Sequence, residues 1–141
     1  MYILFCTFVY TTVINILRIE QLLKTNSSLP LSKKTVVALL YTSNFINSKL
    51  NDVLKPYDVS IQQFNVLRIL RGQNGQPASL TIIQERMISK MSTTTRLVDK
   101  LIKKGFVEKD INIENRRKTD IHITKDGLNF LVKANDLIES I

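Results

Sequence analysis

The chain is poor in the residues that build disulfide frameworks and metal centres. Its 141 residues include one cysteine, Cys6, one histidine, His122, and no tryptophan. A single cysteine excludes an intrachain disulfide framework and is typical of a reducing, cytoplasmic setting. Nitrogen and sulfur donors at ligand spacing are lacking, so we predict neither a metal site nor a cofactor.

Sequence patterns of catalysis are also missing. The chain has four glycines and no glycine-rich phosphate loop. It also lacks a nucleophile elbow and a pair of carboxylates placed for acid–base chemistry. Asp99 is more simply a charge on a helix face, and Asp126 an acid favoured by the dipole at a helix start. We predict that the protein is not an enzyme.

Acidic residues are outnumbered by basic ones. Twelve Asp and Glu stand against 20 Lys and Arg, which gives a net charge of +8 and a pI near 9.7. Nine basic residues and four acids lie between Lys90 and Lys118, so +5 of this charge is in one segment. Excess positive charge favours a polyanionic partner, either nucleic acid or an anionic membrane surface.

The first 17 residues carry no charged side chain. A helix of that length spans about 26 Å, slightly less than the ~30 Å hydrocarbon core of a membrane. No cationic start or small-residue cleavage site marks a secretory signal. Polar residues at helical spacing favour a helix packed against protein, or an upstream extension, over a membrane anchor; they are Thr7, Thr11, Asn15 and Arg18.

A long helix is predicted from a cap at Ser32 to Lys55. Pro56 ends it, because the residue before proline is pushed out of helical geometry. The helix is long for the core available to it, so part of its apolar face is expected to meet a second subunit. Tyr41 and Phe45 on this helix, with Phe64 beyond it, are candidates to line an apolar effector cleft. Aromatic residues at helical spacing are nevertheless more often plain core.

Two capping patterns follow. Ser60 and Gln63 form an S-x-x-Q capping box at the start of the next helix. Thr81 and Gln84 repeat the pattern at the start of a shorter helix that runs from Thr81 to Met87. A brief turn then leads to a longer helix, and this order predicts a helix-turn-helix.

The longer helix spans residues 92–105, with the sequence STTTRLVDKLIKKG. At 3.6 residues per turn, one face is a stripe of Thr94, Leu97, Val98, Leu101 and Ile102. The opposite face carries Thr93, Arg96, Lys100, Lys103 and Lys104. Short polar groups at a helix start can approach base edges, and long cations further along can reach phosphates. An ordinary solvated helix face is the competing interpretation.

Two strands are predicted next, Phe106 to Ile111 and Thr119 to Thr124, because apolar and polar residues alternate. The polar loop between them carries Arg116, Arg117 and Lys118. A hairpin directly after a helix-turn-helix is a wing, and Arg suits a narrow minor groove because it loses hydration more readily than Lys. Thr124 is predicted to cap the last helix.

These residues together resemble the multiple antibiotic resistance regulator (MarR) family of winged helix-turn-helix transcription factors. The resemblance runs from about Lys55 to Leu131. Its most specific pieces are QFNVLRIL from Gln63, STTTRLVDKLIKKGFVEK from Ser92, ENRR from Glu114 and ITKDG from Ile123. The resemblance implies a homodimer that binds a pseudopalindromic operator in double-stranded DNA, usually as a repressor, and is released by a small aromatic effector.

The resemblance also implies roles for individual residues. The residues expected in the major groove are Ser92, Thr93, Thr94 and Arg96. Those expected to contact phosphates are Lys90, Lys100, Lys103 and Lys104. Those expected in the minor groove are Arg116, Arg117 and Lys118. The fold expected is mainly α with a small β-hairpin wing. Its regions are an N-terminal segment and dimerisation helix (1–55), the winged helix-turn-helix (56–124) and a shortened dimerisation helix (125–141).

Departures from the family pattern keep other interpretations open. Family members commonly carry aspartates in the wing before the Arg pair, where this chain has Asn112 and Asn115. The chain ends 17 residues after Thr124, whereas the family usually adds another long helix. The alternatives are a winged-helix protein-interaction module without sequence-specific DNA binding, and a membrane-tethered regulator.

Overall fold

The computed structural model describes residues 18–89, 93–112 and 119–139. The expectations for residues 1–17, and for Lys90, Ser92, Arg116, Arg117 and Lys118, lie outside this range. The chain divides into two compact units, Met1–Leu50 and Asn51–Ile141. Along the described part of the chain, no helix combines the length and the apolar character that crossing a membrane requires.

The first unit contains a short helix α1 (Ile19–Leu22) and most of the long helix α2 (Leu31–Leu54). The Lys34 ammonium lies 2.5 Å from a carboxylate oxygen of Glu20, which also accepts the Leu29 N–H at 3.2 Å. The hydrogen bond from Lys34 holds the pKa of Glu20 below its usual range. The predicted cap at Ser32 is wrong. The first helical hydrogen bond runs from the Lys34 N–H to the Pro30 carbonyl, so the helix begins before Ser32.

The apolar side chains of α2 are mostly exposed. Ala38 is buried, but a run of large residues around it is 46–61% exposed: Val36, Leu39, Leu40, Tyr41 and Phe45. Large apolar side chains exposed together on one helix are unusual for an isolated monomer.

The second unit begins with the last turn of α2, whose Leu54 is fully buried. A 3-10 turn, Lys55–Tyr57, contains Pro56 and ends at Asp58 in the left-handed conformation (φ 51°). Three helices follow, α3 (Ile61–Arg71), α4 (Leu80–Arg86) and α5 (Thr94–Lys103). Strands β1 (Val107–Ile111) and β2 (Thr119–Ile123) then lead to α6 (Lys125–Glu139). The predicted mainly helical fold with one hairpin is confirmed.

The capping box of α3 is confirmed. Ser60 Oγ accepts the Gln63 N–H at 3.2 Å, and Gln63 Oε1 accepts the Ser60 N–H at 2.9 Å. The core formed by α3 continues into α6, where the Phe130 ring stacks on Phe106 at 5.0 Å and meets Phe64 edge-on at 6.5 Å.

The predicted start of α4 is wrong. Ser79, not Thr81, is the cap, since its hydroxyl accepts the Ile82 N–H at 3.3 Å. Thr81 lies inside the first turn and is exposed. Sequence spacing misled here because Ser79 also fits a cap but lacks Glu or Gln three residues later. Immediately before it, Ala78 exchanges two 3.0 Å backbone hydrogen bonds with Ile121 and so adds a single bridge to β2.

The hairpin is antiparallel, with Val107 opposite Ile123 and Asp110 opposite Asp120. Thr124 caps α6 through its Oγ1, which accepts the Gly127 N–H at 3.1 Å. Gly127 lies against the Phe106 carbonyl so closely that a Cβ there would clash with backbone. The helix-turn-helix, hairpin and α6 are therefore joined through one core.

Candidate nucleic-acid interface

Helix α5 has one buried and one exposed face. Thr94, Val98 and Leu101 are buried against the core of the second unit. The opposite face is exposed and consists of Thr93, Thr95, Arg96, Lys100 and Lys103. Thus α5 presents a hydroxyl-rich beginning and a cationic later part, the arrangement needed to meet base edges and phosphates together.

The prediction that Thr94 contacts base edges in the major groove is wrong. Its side chain is 4% exposed, and within the described residues its Oγ1 finds no hydrogen-bond partner. Because Thr94 faces the core with Val98, its hydroxyl cannot meet a base edge. Thr93 and Arg96 remain in the exposed set.

Lys104 is also engaged differently from the prediction. Its ammonium donates to Asp58 Oδ2 at 2.6 Å and is largely covered, with 23% of the side chain exposed. The hydrogen bond and charge of Lys104, with a smaller contribution from Lys100, lower the pKa of Asp58. In the free protein Lys104 therefore ties the end of α5 to the turn before α3. Sequence reasoning missed Asp58 because its partner is 46 residues away and no local pattern links them.

A cavity of about 950 Å³, here called the basic cavity, lies beside α5. It combines four lysines with two acids and a few polar and apolar groups: Lys55, Lys100, Lys103 and Lys104; Asp52 and Asp58; Asn51, Ser60, Gln63, Val59 and Leu97. Gln63 Nε2 is buried and finds no hydrogen-bond partner among the described residues. The excess of cations makes this cavity suited to an anionic molecule.

The three aromatic residues predicted to line an effector cleft belong to both units of the chain. Phe64 is 5% exposed and its ring packs against Phe130, so it is a core residue. Tyr41 and Phe45 are exposed and belong to the first unit. The core accounts for Phe64, and the effector cleft stays a prediction for Tyr41 and Phe45.

The base of the wing is held by polar contacts. The Asn112 side-chain amide donates to both carboxylate oxygens of Asp120, at 3.0 and 2.9 Å. Lys109 on β1 pairs with Asp99 on α5 at 3.4 Å, which connects wing and helix. In the described part of the chain, no group of three or more metal-ligating side chains comes together.

Comparison with known proteins gives matches over this same region. The sequence profile of the MarR family matches residues 59–119. The uncharacterised HTH-type transcriptional regulator YfiV of Bacillus subtilis (strain 168) is 30% identical over 104 residues, which cover 72% of this chain and 64% of YfiV. The chain thus spans less than two thirds of the length of that relative.

Solved structures share the fold. A MarR transcription factor from Planctomyces limnophilus matches with a TM-score of 0.69 and 25% identity, covering 81% of each chain. A MepR mutant of S. aureus bound to an oligodeoxyribonucleotide matches with a TM-score of 0.62 and 15% identity, covering 74% of this chain and 76% of that one. The profile, the curated relative and the solved structure together support a MarR-family regulator.

Proposed function

We propose that this protein is a sequence-specific DNA-binding transcriptional regulator that acts as a homodimeric repressor. The observation that supports this most is α5, whose buried face packs into the core while its exposed face carries Thr93, Arg96, Lys100 and Lys103. A solved structure with the same fold, MepR, is bound to an oligodeoxyribonucleotide.

In this proposal the exposed residues of α5 contact different parts of the DNA, depending on their position along the helix. Thr93 and Arg96 lie near the start of the helix and contact base edges in the major groove, with Ser92. Lys100 and Lys103, with Lys90, contact phosphates, and Arg116, Arg117 and Lys118 of the wing loop enter the minor groove. Because Lys104 is hydrogen-bonded to Asp58, it makes a weaker phosphate contact than Lys100 and Lys103.

The exposed apolar face of α2 supports a homodimer. Two copies would cover each other's Val36, Leu39 and Leu40, whose exposure is otherwise unfavourable. A two-fold dimer presents two copies of α5 about 34 Å apart, one DNA turn, and reads a pseudopalindromic operator.

We place the effector in the basic cavity. Its lysines favour a carboxylate, and Val59 and Leu97 offer apolar contacts for an aromatic ring. Occupancy would neutralise Lys100 and Lys103, which the DNA phosphates also need, so binding of the effector and of DNA would compete. Aromatic carboxylates that release operator from wild type should do so less well with Lys55→Ala, since Lys55 lines the cavity outside α5.

Selection of duplexes from a random pool tests the main proposal. Wild type should enrich a two-fold symmetric sequence. Arg96→Ala should lose about 1–3 kcal/mol at one base pair of each half-site, as expected when a bidentate base contact is removed. Lys103→Ala is the matched control and should weaken operator and random duplex equally, with a salt slope smaller by roughly one. A pool without enrichment would instead indicate a protein-interaction module.

A further inference from the structure

The turn that follows α3 contains an asparagine–glycine pair in an open part of the surface. Asn74 and Gly75 both have positive φ, 54° and 84°, and the Gln76 N–H donates to the Gln73 carbonyl at 3.1 Å across them. These are features of a type I′ turn, for which Asn-Gly is a preferred sequence. Both residues are exposed, and a Cβ built on Gly75 would meet no atom within 4 Å. The pair is therefore open to solvent and uncrowded.

Two groups of this pair are free to react with each other. Among the residues that the structure describes, the Gly75 N–H donates to no acceptor, and the Asn74 side-chain amide makes no hydrogen bond. A backbone nitrogen becomes nucleophilic when its proton is removed, and a hydrogen bond to that proton hinders the removal. Since Gly75 has no side chain, its nitrogen can approach Asn74 Cγ closely. The approach needs a rotation about Asn74, which a surface turn allows at small cost.

We propose that Asn74–Gly75 is a site of spontaneous covalent modification, at which Asn74 loses its amide and the chain becomes isoaspartyl. Hydroxide removes the Gly75 amide proton, and the nitrogen attacks Asn74 Cγ. The new C–N bond closes a succinimide ring while the bond from Cγ to the side-chain nitrogen breaks, and ammonia leaves with a proton from water. Water then opens the ring at either carbonyl, which gives isoaspartate or aspartate. One water is consumed, one ammonia is released, and nothing is oxidised or reduced.

Both products change the segment between α3 and the sheet. Each places a carboxylate at residue 74 and lowers the net charge of +8 by one. Isoaspartate also brings the β-carbon into the main chain, so the segment gains one backbone atom. The altered segment leads directly to Ala78, whose backbone exchanges two 3.0 Å hydrogen bonds with Ile121. The modification thus lies on the connection between the helix-turn-helix and β2.

A second exposed asparagine, Asn26, provides an internal comparison. It is followed by Ser27, whose N–H donates to Thr25 Oγ1 at 3.3 Å. Asn74 should deamidate at least about tenfold faster than Asn26, because Ser27 carries a side chain beside the attacking nitrogen and must first give up a hydrogen bond.

Ageing of the purified full chain tests the proposal. Wild type is incubated at pH 7 and at pH 9, and peptide mapping by mass spectrometry identifies each asparagine that has exchanged –NH2 for –OH. An isoaspartate-specific methyltransferase labels the main product. Asn74→Gly is the matched variant, since glycine adopts a positive φ and carries no amide. Wild type should accumulate isoaspartate at residue 74, faster at pH 9, and Asn74→Gly should lose this signal.

Chain unfolded in guanidinium chloride is the reference for the effect of the fold. Because the turn is open, Asn74 in the folded protein should react within about tenfold of its rate in the unfolded chain. Three results overturn the proposal: stronger protection of Asn74 by the fold, equal rates at Asn74 and Asn26 in the folded protein, and an undiminished methyltransferase signal in Asn74→Gly.

Discussion

At the scale of single residues, Lys104 and Asp58 show how a cation at the end of α5 can be held by a contact within the protein. Asp58 is 95% exposed in its side chain, yet its carboxylate is 2.6 Å from the Lys104 ammonium. An exposed pair of this kind contributes little to stability, but it decides where the lysine points. The ion pair therefore matters more for charge distribution along α5 than for folding.

Asp58→Asn should strengthen DNA binding. Without its carboxylate partner, Lys104 becomes available to phosphates, and the slope of log affinity against log salt should steepen by up to about one unit. Asp52→Asn is the matched control, because Asp52 lines the same cavity without a salt bridge to Lys104. An equal gain in both variants would show that net charge alone is responsible.

The same pair predicts a dependence of stability on pH. Lys104 lowers the pKa of Asp58 in the folded protein, so the bond contributes stability above the ordinary Asp pKa of about 3.9. That contribution is lost as pH falls below this value and the carboxylate becomes protonated. The difference in melting temperature between wild type and Asp58→Asn should be present at pH 7 and vanish on acidification; a difference that grows below pH 4 would contradict the assignment.

At the scale of elements, the starts of α3, α4 and α6 depend on one or two capping side chains. Ser79→Ala should destabilise the protein by about 0.5–2 kcal/mol, because it leaves the Ile82 N–H without its cap. Thr81→Ala is the control suggested by the sequence pattern, and it should have little effect, since Thr81 is an exposed first-turn residue. Denaturant unfolding compares the two, and the reverse order of stability would reinstate Thr81 as the cap.

The close approach of α6 to the chain before β1 also depends on one position. Gly127→Ala should destabilise by about 1–3 kcal/mol, because the new Cβ meets the Phe106 carbonyl and the backbone must move. Gly72→Ala is a matched control: its Cβ would meet only ordinary contacts, at 3.4 Å and beyond, and its φ of −67° suits alanine. Similar losses in both variants would contradict this assignment, since only Gly127 is crowded and alanine has the higher helix propensity.

Local chemistry made most of these elements predictable. The capping box at Ser60, the proline stop at Pro56 and the alternation in β2 all depend on residues a few positions apart. The contact between Lys104 and Asp58 joins segments 46 residues apart, and the contact between Asn112 and Asp120 depends on how the hairpin pairs. Short-range sequence patterns state neither. Thr94 was misassigned because a hydroxyl at a helix start suits both a groove and a core, and only packing distinguishes them.

At the scale of the whole molecule, the exposed apolar face of α2 predicts self-association. Leu40→Glu should weaken the dimer about tenfold or more, because a carboxylate would be buried without a partner. Ile111→Glu is the control, as Ile111 is 70% exposed on the wing against 61% for Leu40. Sedimentation over a range of concentrations measures the change, and a monomeric wild type would contradict the homodimer.

The hydroxyl of Thr124 links the end of α5 to the start of α6. It donates to the Gly105 carbonyl at 2.6 Å, directly after α5, while accepting the Gly127 N–H at 3.1 Å inside α6. One oxygen thus couples the exit of one helix to the entry of the other through two short bonds. A tilt of α6 away from the end of α5 would therefore strain both bonds made at this oxygen.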